Sequence, residues 1–293
     1  MFKGSIVALI TPMTPSGDVD YASLQKLVQF HIENGTDAIV SVGTTGESAT
    51  LPVEEHIKVV EKTVEFSEGK IPVIAGTGAN STQEAIELGD AMKNSGVKGF
   101  LSVVPYYNKP QQRGMIAHFN AIADAAPVPV LLYNVPSRTV ADLSNESVAE
   151  LAKHPNIVGI KDATGDLARL ADLKPRVPDD FVILSGDDPS GCDFLCAGGD
   201  GVISVTANIV PAQMKQMCDA ARNGDSALAH KINDEIAELH TTLFIEPNPV
   251  VPKWVLYKMG LTQTPALRLP MVEPEPETQN TVMKLLQGMG IVA

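Results

Sequence analysis

The chain has 293 residues, 44% of them hydrophobic and 19% charged, an ordinary globular composition with enough apolar material for one large core. Its formal net charge of −13 and pI near 4.8 offer no basic footprint for nucleic acid or for an anionic membrane surface, so an anionic ligand has to meet a local cluster of donors. The first apolar run, Ile6 to Ile10, stops at Thr11-Pro12 and is too short for a signal sequence or a bilayer span, which predicts a cytoplasmic protein.

In chain order, the run "IVALI" from Ile6 predicts a first strand. Asp20 then precedes "YASLQKLVQFHIENG", in which Leu24, Leu27, Val28 and Ile32 mark one helical face and Gly35 supplies the stop. "AIVSV" from Ala38, a helical stretch from Leu51 to Gly69, and "IPVIA" from Ile71 continue the alternation. Ser81 and Glu84 have the spacing of a capping box at the head of the next helix, which Gly96 ends. "GFLSVV" from Gly99, "PVLLY" from Pro129, a helix over Ser144 to Lys153, "IVGIK" from Ile157, "VILSG" from Val182 and "GVISV" from Gly201 complete the series. Successive strands start about 19 to 33 residues apart, room for one helix each, and eight of them predict a closed (β/α)8 TIM barrel in the α/β class.

An internal repeat supports the same reading. Gly35 to Val42, Gly96 to Val103 and Gly198 to Val205 all fit G-x-x-[AG], two apolar residues, then Ser-Val, a repeated helix-to-strand turn. After Val205 the strands cease, and helices are expected over Pro211 to Arg222, Asp225 to Leu243, Pro249 to Met259 and Glu273 to Met289. The expected division is a barrel over 1–223 and a C-terminal helical extension over 224–293, packed on the barrel or on another subunit.

Barrel enzymes carry their working groups at the C-terminal strand ends. Here those ends are "GTTGES" after strand two, "PYYNKP" after strand four, "YNVPSRT" after strand five, Lys161 on strand six and "SVTAN" after strand eight. Lysine is rarely buried unless paired or employed. Lys161 is either a nucleophile, held neutral by desolvation from Ile157, Val158, Ile160 and their barrel neighbours, or half of an ion pair with Asp162, Asp187 or Asp188. Lowering a lysine from about 10.4 to near 7.5 would cost roughly 4 kcal/mol.

Tyr133 ends the adjacent strand, as a proton relay or as a packing aromatic. Thr44 and Thr45 stand between glycines that allow close backbone approach; no lysine follows, so the loop is not a P-loop. Arg138, on a rigid loop, is a carboxylate fork or a solvated surface charge. Tyr106 and Tyr107 read as rim or interface aromatics, and the glycines of "GGDGVIS" need no phosphate to explain them. Cys192, Cys196 and Cys218 make an odd count without a disulfide framework. Cys192 and Cys196 lie one helical turn apart, but no second pair or nearby histidine completes four ligands, so free thiols, no metal and no cofactor are expected.

"GTTGESATL", "PYYNKP", "LLYNVPSRT", "GIKDATGD", "LSGDD", "GGDGVISVTAN" and "EPNPVVPKW", in this order, closely resemble the 4-hydroxy-tetrahydrodipicolinate synthase (dihydrodipicolinate synthase) family of the pyruvate-dependent class I aldolase and N-acetylneuraminate lyase superfamily. The likeness spans nearly the whole chain. It implies condensation of pyruvate with aspartate semialdehyde in lysine and diaminopimelate biosynthesis. Lys161 would form the Schiff base, and Thr44, Tyr133 and Tyr107 would relay protons, Tyr107 reaching a neighbouring subunit's site. Thr45 and the backbone of Ile203 would hold the pyruvate carboxylate, and Arg138 that of the semialdehyde.

The resemblance further implies a lysine-binding regulatory pocket at a dimer interface, at positions Ser48, Ala49, His56, Asn80, Glu84 and Tyr106. Glu84 would meet its ammonium groups, and Tyr106 and Asn80 its carboxylate. Val53 departs from the histidine found in well-known lysine-sensitive members, which points to weaker inhibition. A homo-oligomer is also implied, a tetramer built as a dimer of dimers or a dimer alone. Competing readings are sister lyases for N-acetylneuraminate or 2-keto-3-deoxy sugar acids, a non-catalytic keto-acid sensor, and a flavin or phosphate-cofactor barrel at Gly198 to Gly201. Thr44 together with Arg138 favours the synthase, because the sister lyases tend to lack both the threonine pair and this arginine.

Overall fold

The computed structural model describes residues 2–292 and shows eight parallel strands closed in chain order. They are β1 (Gly4–Ala8), β2 (Ala38–Ser41), β3 (Val73–Gly76), β4 (Gly99–Val103), β5 (Val130–Asn134), β6 (Ile157–Asp162), β7 (Val182–Ser185) and β8 (Gly201–Ser204). Closure comes from pairing of β1 with both β2 and β8, Ile6 lying opposite Ala38 on one side and Ile203 on the other. Each strand is buried on both faces, which is why the runs are continuously apolar rather than alternating. Inward residues Ile6, Val40, Ile74, Leu101, Leu131 and Leu184 form one apolar cluster inside the barrel, while Val7, Ile39, Val73, Phe100 and Leu132 join the larger core between strands and helices. The first strand begins at Gly4 rather than Ile6, because Gly4 pairs with Gly201 across the closure.

The helices follow the local signals. In α1 (Tyr21–Glu33) the Asp20 carboxylate accepts the Ser23 N–H, and Leu24, Leu27 and Val28 are buried as the spacing requires. In α3 (Thr82–Ala91), after α2 (Val53–Ser67), the Ser81 hydroxyl accepts the Glu84 N–H. The glycines of the repeat, Gly35, Gly96 and Gly198, all adopt positive φ (75°, 87° and 96°), the left-handed turn that lets a helix stop and a strand start. Four further helices, α4 (Gln112–Ala125), α5 (Pro136–Thr139), α6 (Asn145–Leu151) and α7 (Leu167–Leu173), lie between β4 and β7, and α8 (Asp188–Cys196) joins β7 to β8. The "PSRT" segment, expected as a loop, is the single helical turn α5, with Pro136 at its first position and Val140 ending it at φ 59°.

Past β8 come α9 (Pro211–Arg222), α10 (Ser226–Thr242), α11 (Val250–Lys258) and α12 (Pro276–Gly288). Helix α10 packs on α8 and α9. Among the described residues no helix is long and apolar enough to cross a membrane.

One buried face of α1 predicts an acid-sensitive fold. His31 is fully buried, with Nδ1 on the Thr36 hydroxyl at 2.9 Å and Nε2 unpartnered, and burial pushes its pKa down to about 3. In the unfolded chain the same ring titrates near 6.5. Below that pH the unfolded state therefore binds a proton that the folded state refuses, and stability falls as the pH drops from about 6.5 towards 3. Linkage gives a loss of about 2 kcal/mol between pH 7 and 5 for this group. His118, lowered by burial to about 4, acts in the same direction. Urea unfolding at the two pH values should show the loss, and His31→Leu should reduce the slope; equal slopes would exclude His31 as a source.

Candidate active site at the C-terminal face of the barrel

Strand β6 carries a register shift against β5: Val130 lies opposite Ile157, but Leu131 lies opposite Gly159, so Val158 is the extra residue. The shift sets Tyr133 opposite Lys161 and turns both into the barrel, where Lys161 Nζ lies 4.3 Å from the centre of the Tyr133 ring. It also corrects one expectation. Ile157 and Ile160 face the outer core rather than the lysine, because side chains alternate along a strand, and the shift decides which of them point in. The walls around Lys161 are instead Ala8, Val40, Leu101, Tyr133, Ala163 and Val205.

Lys161 is 6% exposed and, among the described residues, forms no ion pair. The three carboxylates that could have paired with it are engaged elsewhere. Asp162 receives Arg169 Nε at 3.0 Å and the Thr164 N–H at 2.8 Å, Asp187 caps α8 through Ser190, and Asp188 accepts the N–H groups of Val205 and Thr206 at 2.9 Å. Gly186 makes the room: a Cβ there would sit 2.5 Å from Lys161 Cε and 2.8 Å from Ala163 Cβ. The amine thus opens into a cavity of about 210 Å³ whose wall also includes Thr44, Thr45, Arg138 and Asn248.

The threonine loop is fixed from the far end of the chain. Asn248 donates through Nδ2 to the Thr45 hydroxyl at 2.9 Å, and its carbonyl accepts Arg138 Nη2 at 3.3 Å, so one residue ties both sides of the cavity mouth. Two residues after Thr45, Glu47 forms a salt bridge with Lys253 of α11, both side chains being only 2% exposed. Glu47 also accepts the Arg268 N–H at 3.1 Å, and Arg268 in turn grips Glu55 with two hydrogen bonds of 2.5 and 3.0 Å. Burial pulls the Lys253 pKa down and Glu47 pulls it back up.

Behind this wall lies a second cleft of about 450 Å³, lined by Ser48, Ala49, His56, Glu84 and Tyr106 among others. Five of the six positions of the regulatory set therefore come together. Asn80 stands outside that lining, its carbonyl accepting Asn108 Nδ2 at 2.8 Å. His56 donates through Nε2 to the Gly76 carbonyl at 2.8 Å and is held below the usual imidazole range by burial. Val53 sits on the rim, 62% exposed. Thr44 borders both cavities. Two residues stand apart from the main group: Ile203 is buried in the barrel, two residues before Val205, and Tyr107 projects outwards, 89% exposed at φ 74°.

The sequence profile of the Dihydrodipicolinate synthetase family matches residues 1–289. The chain belongs to this family. It is 64% identical over 293 residues to the 4-hydroxy-tetrahydrodipicolinate synthase of Pseudoalteromonas atlantica, covering the whole of both chains. Among solved structures, the chloride-inhibited dihydrodipicolinate synthase of Acinetobacter baumannii complexed with pyruvate superposes with a TM-score of 0.97 at 48% identity over 100% of each chain. The enzyme of Cyanidioschyzon merolae with lysine bound does so at 0.95 and 37%, over 99% of each.

Within this member of the family, Asn248, Gly186, Glu47 and Lys253 were not singled out by sequence reasoning. The available signals were Gly186 within "LSGDD" and a lysine inside the otherwise apolar "VVPKWVL". A second correction concerns the cysteines. Read along the chain, no histidine stands near Cys192 and Cys196; in the fold, α10 brings His230 to them, so that the two sulfurs and a ring nitrogen lie within 4.8 Å of one another.

Proposed function

We propose that the protein is a 4-hydroxy-tetrahydrodipicolinate synthase that condenses pyruvate with L-aspartate-4-semialdehyde on Lys161. The observation that carries this reading is the buried Lys161 amine, without a carboxylate partner, facing the Tyr133 ring in a small cavity with hydroxyl donors and one guanidinium at its mouth. The Lys161 nitrogen adds to the ketone carbon of pyruvate, and loss of water leaves an iminium. Removal of a methyl proton gives an enamine, whose carbon attacks the aldehyde carbon. The semialdehyde's own amine then closes on the iminium carbon and releases Lys161.

Thr44 and Tyr133 border the cavity and move the protons, with Tyr107 of a second copy completing the relay; its exposure on the single chain fits that role. Thr45 and the Ile203 backbone bind the pyruvate carboxylate, and Arg138 binds the semialdehyde's carboxylate as a charge-assisted fork. We assign the enzyme to the cytoplasm as a homotetramer, a dimer of dimers, with 1–223 as the catalytic barrel and 224–293 as the extension. Purified protein supplied with pyruvate and aspartate semialdehyde should form the condensation product. Cleavage of N-acetylneuraminate without condensation would instead assign it to the sister lyases.

Lysine is proposed as a feedback inhibitor bound in the second cleft, where Glu84 meets its ammonium groups and Tyr106, with Asn80 beside the cleft, its carboxylate. Because Val53 presents an apolar rim, inhibition should be weaker than where a histidine stands there. A lysine titration should lower turnover at millimolar concentrations, and unchanged turnover would contradict the assignment.

A further inference from the structure

We propose that Cys192, Cys196 and His230 form a zinc site on the outside of the barrel, between α8 and α10, with water or the Asp193 carboxylate in the fourth position. Cys192 and Cys196 occupy successive turns of α8, so both sulfurs leave the helix on one face, and His230 comes from the first turns of α10 packed against it. Their mutual separations of at most 4.8 Å need only a modest contraction to reach bonds of about 2.0 to 2.3 Å to one ion. Two thiolates and an imidazole are a donor set for zinc rather than for a hard cation such as magnesium or calcium.

The surroundings are those of a ligand set rather than of three stray side chains. His230 donates through Nδ1 to the Ser226 carbonyl at 2.7 Å, an outer bond of the kind that orients a ligating ring. Nε2 meets Asp193 Oδ1 at 2.8 Å in an ion pair that raises the His230 pKa, so an ion would take the place of the Nε2 proton with that carboxylate beside it. Asp193 and Asp234 add negative potential around both Cys192 and His230. Cys192 is buried, Cys196 half-buried and His230 half-exposed, which leaves an entry path from solvent. None of the three lines the Lys161 cavity, so the ion would brace α10 against the barrel and take no part in turnover.

Burial, reinforced by Cys196, raises the Cys192 thiol pKa. Binding exchanges protons for metal. Each thiol gives up its proton to solvent, His230 gives up the Nε2 proton it shares with Asp193 and binds as the neutral ring, and no electron is transferred.

The test is a titration of the reduced, chelator-stripped full-length protein with Co²⁺, followed by displacement with Zn²⁺. One equivalent per chain should produce a thiolate-to-cobalt charge-transfer band that Zn²⁺ abolishes. The band should be lost in Cys196→Ser and the affinity lowered about tenfold or more in His230→Gln, both variants keeping the wild-type far-ultraviolet circular dichroism. Cys192, buried in the core, is left in place. Absence of the band in wild type, or an undiminished band in either variant, would overturn the site.

Discussion

Lys161→Ala is expected to lower turnover by about 10⁴-fold or more, since removal of a covalent nucleophile leaves only binding and general polarisation to act on the substrates. Lys161→Arg should be equally inactive: a guanidinium keeps the positive charge but stays protonated and cannot add to a ketone. The pair of variants separates nucleophile from electrostatics, because a charge-only role would survive in the arginine form. Lys161→Ala should lose little stability, as the amine has no ion pair to forfeit among the described residues, whereas Lys161→Arg is destabilised by a buried charge that cannot shed its proton. Steady-state rates with both substrates, beside urea unfolding, check the expectation. Substantial turnover in Lys161→Arg would sink it.

Lys253→Ala should be the most damaging change to the fold among the residues discussed. It leaves the Glu47 carboxylate buried without its cation, which costs about 3 to 5 kcal/mol. For a chain of this size that corresponds to a fall of about 5 to 8 °C in Tm. Glu47→Ala should cost less, because burial already holds the Lys253 ammonium below its usual range and the orphaned amine can shed its proton. Replacing both together, Glu47→Gln with Lys253→Met, should recover most of the loss, since no uncompensated charge remains. The single lysine variant should also lose activity, because Glu47 belongs to the loop that carries Thr44 and Thr45. Calorimetry on the four proteins tests this; a double variant as unstable as Lys253→Ala would show that the pair is not the source.

How much of this was legible in the chain depends on whether the cause was local. The eight strands could be read because a strand buried on both faces must be continuously apolar, and Lys161 stood out as a charge ending one of them. Helix starts at Asp20 and Ser81 were legible because the capping group lies within three residues of its donor. The facing of Ile160 followed from its adjacency to Lys161, but that of Ile157 was not legible, because the extra residue Val158 in the ladder changes which side chains point inwards and leaves no trace in composition. The clamp of Asn248 on Thr45 and that of Lys253 on Glu47 each join residues about two hundred positions apart, as does the Arg268 grip on Glu55. A lysine inside the apolar "VVPKWVL" signals a buried cation, but nothing within a helical turn of these residues names the distant partner. His230 beside Cys192 and Cys196 is the same case at shorter range, created by the packing of α10 on α8.

The most direct test of the central claim is the intact mass of the protein after borohydride reduction in the presence of pyruvate. Reduction of an imine to pyruvate adds about 72 Da, the mass of pyruvate less one oxygen, and makes the covalent intermediate permanent. A single adduct of that mass is expected on the wild-type chain and none on Lys161→Ala, with the modified peptide containing Lys161. An active wild-type protein without the adduct, or an adduct that persists in Lys161→Ala, would contradict the Schiff base on Lys161.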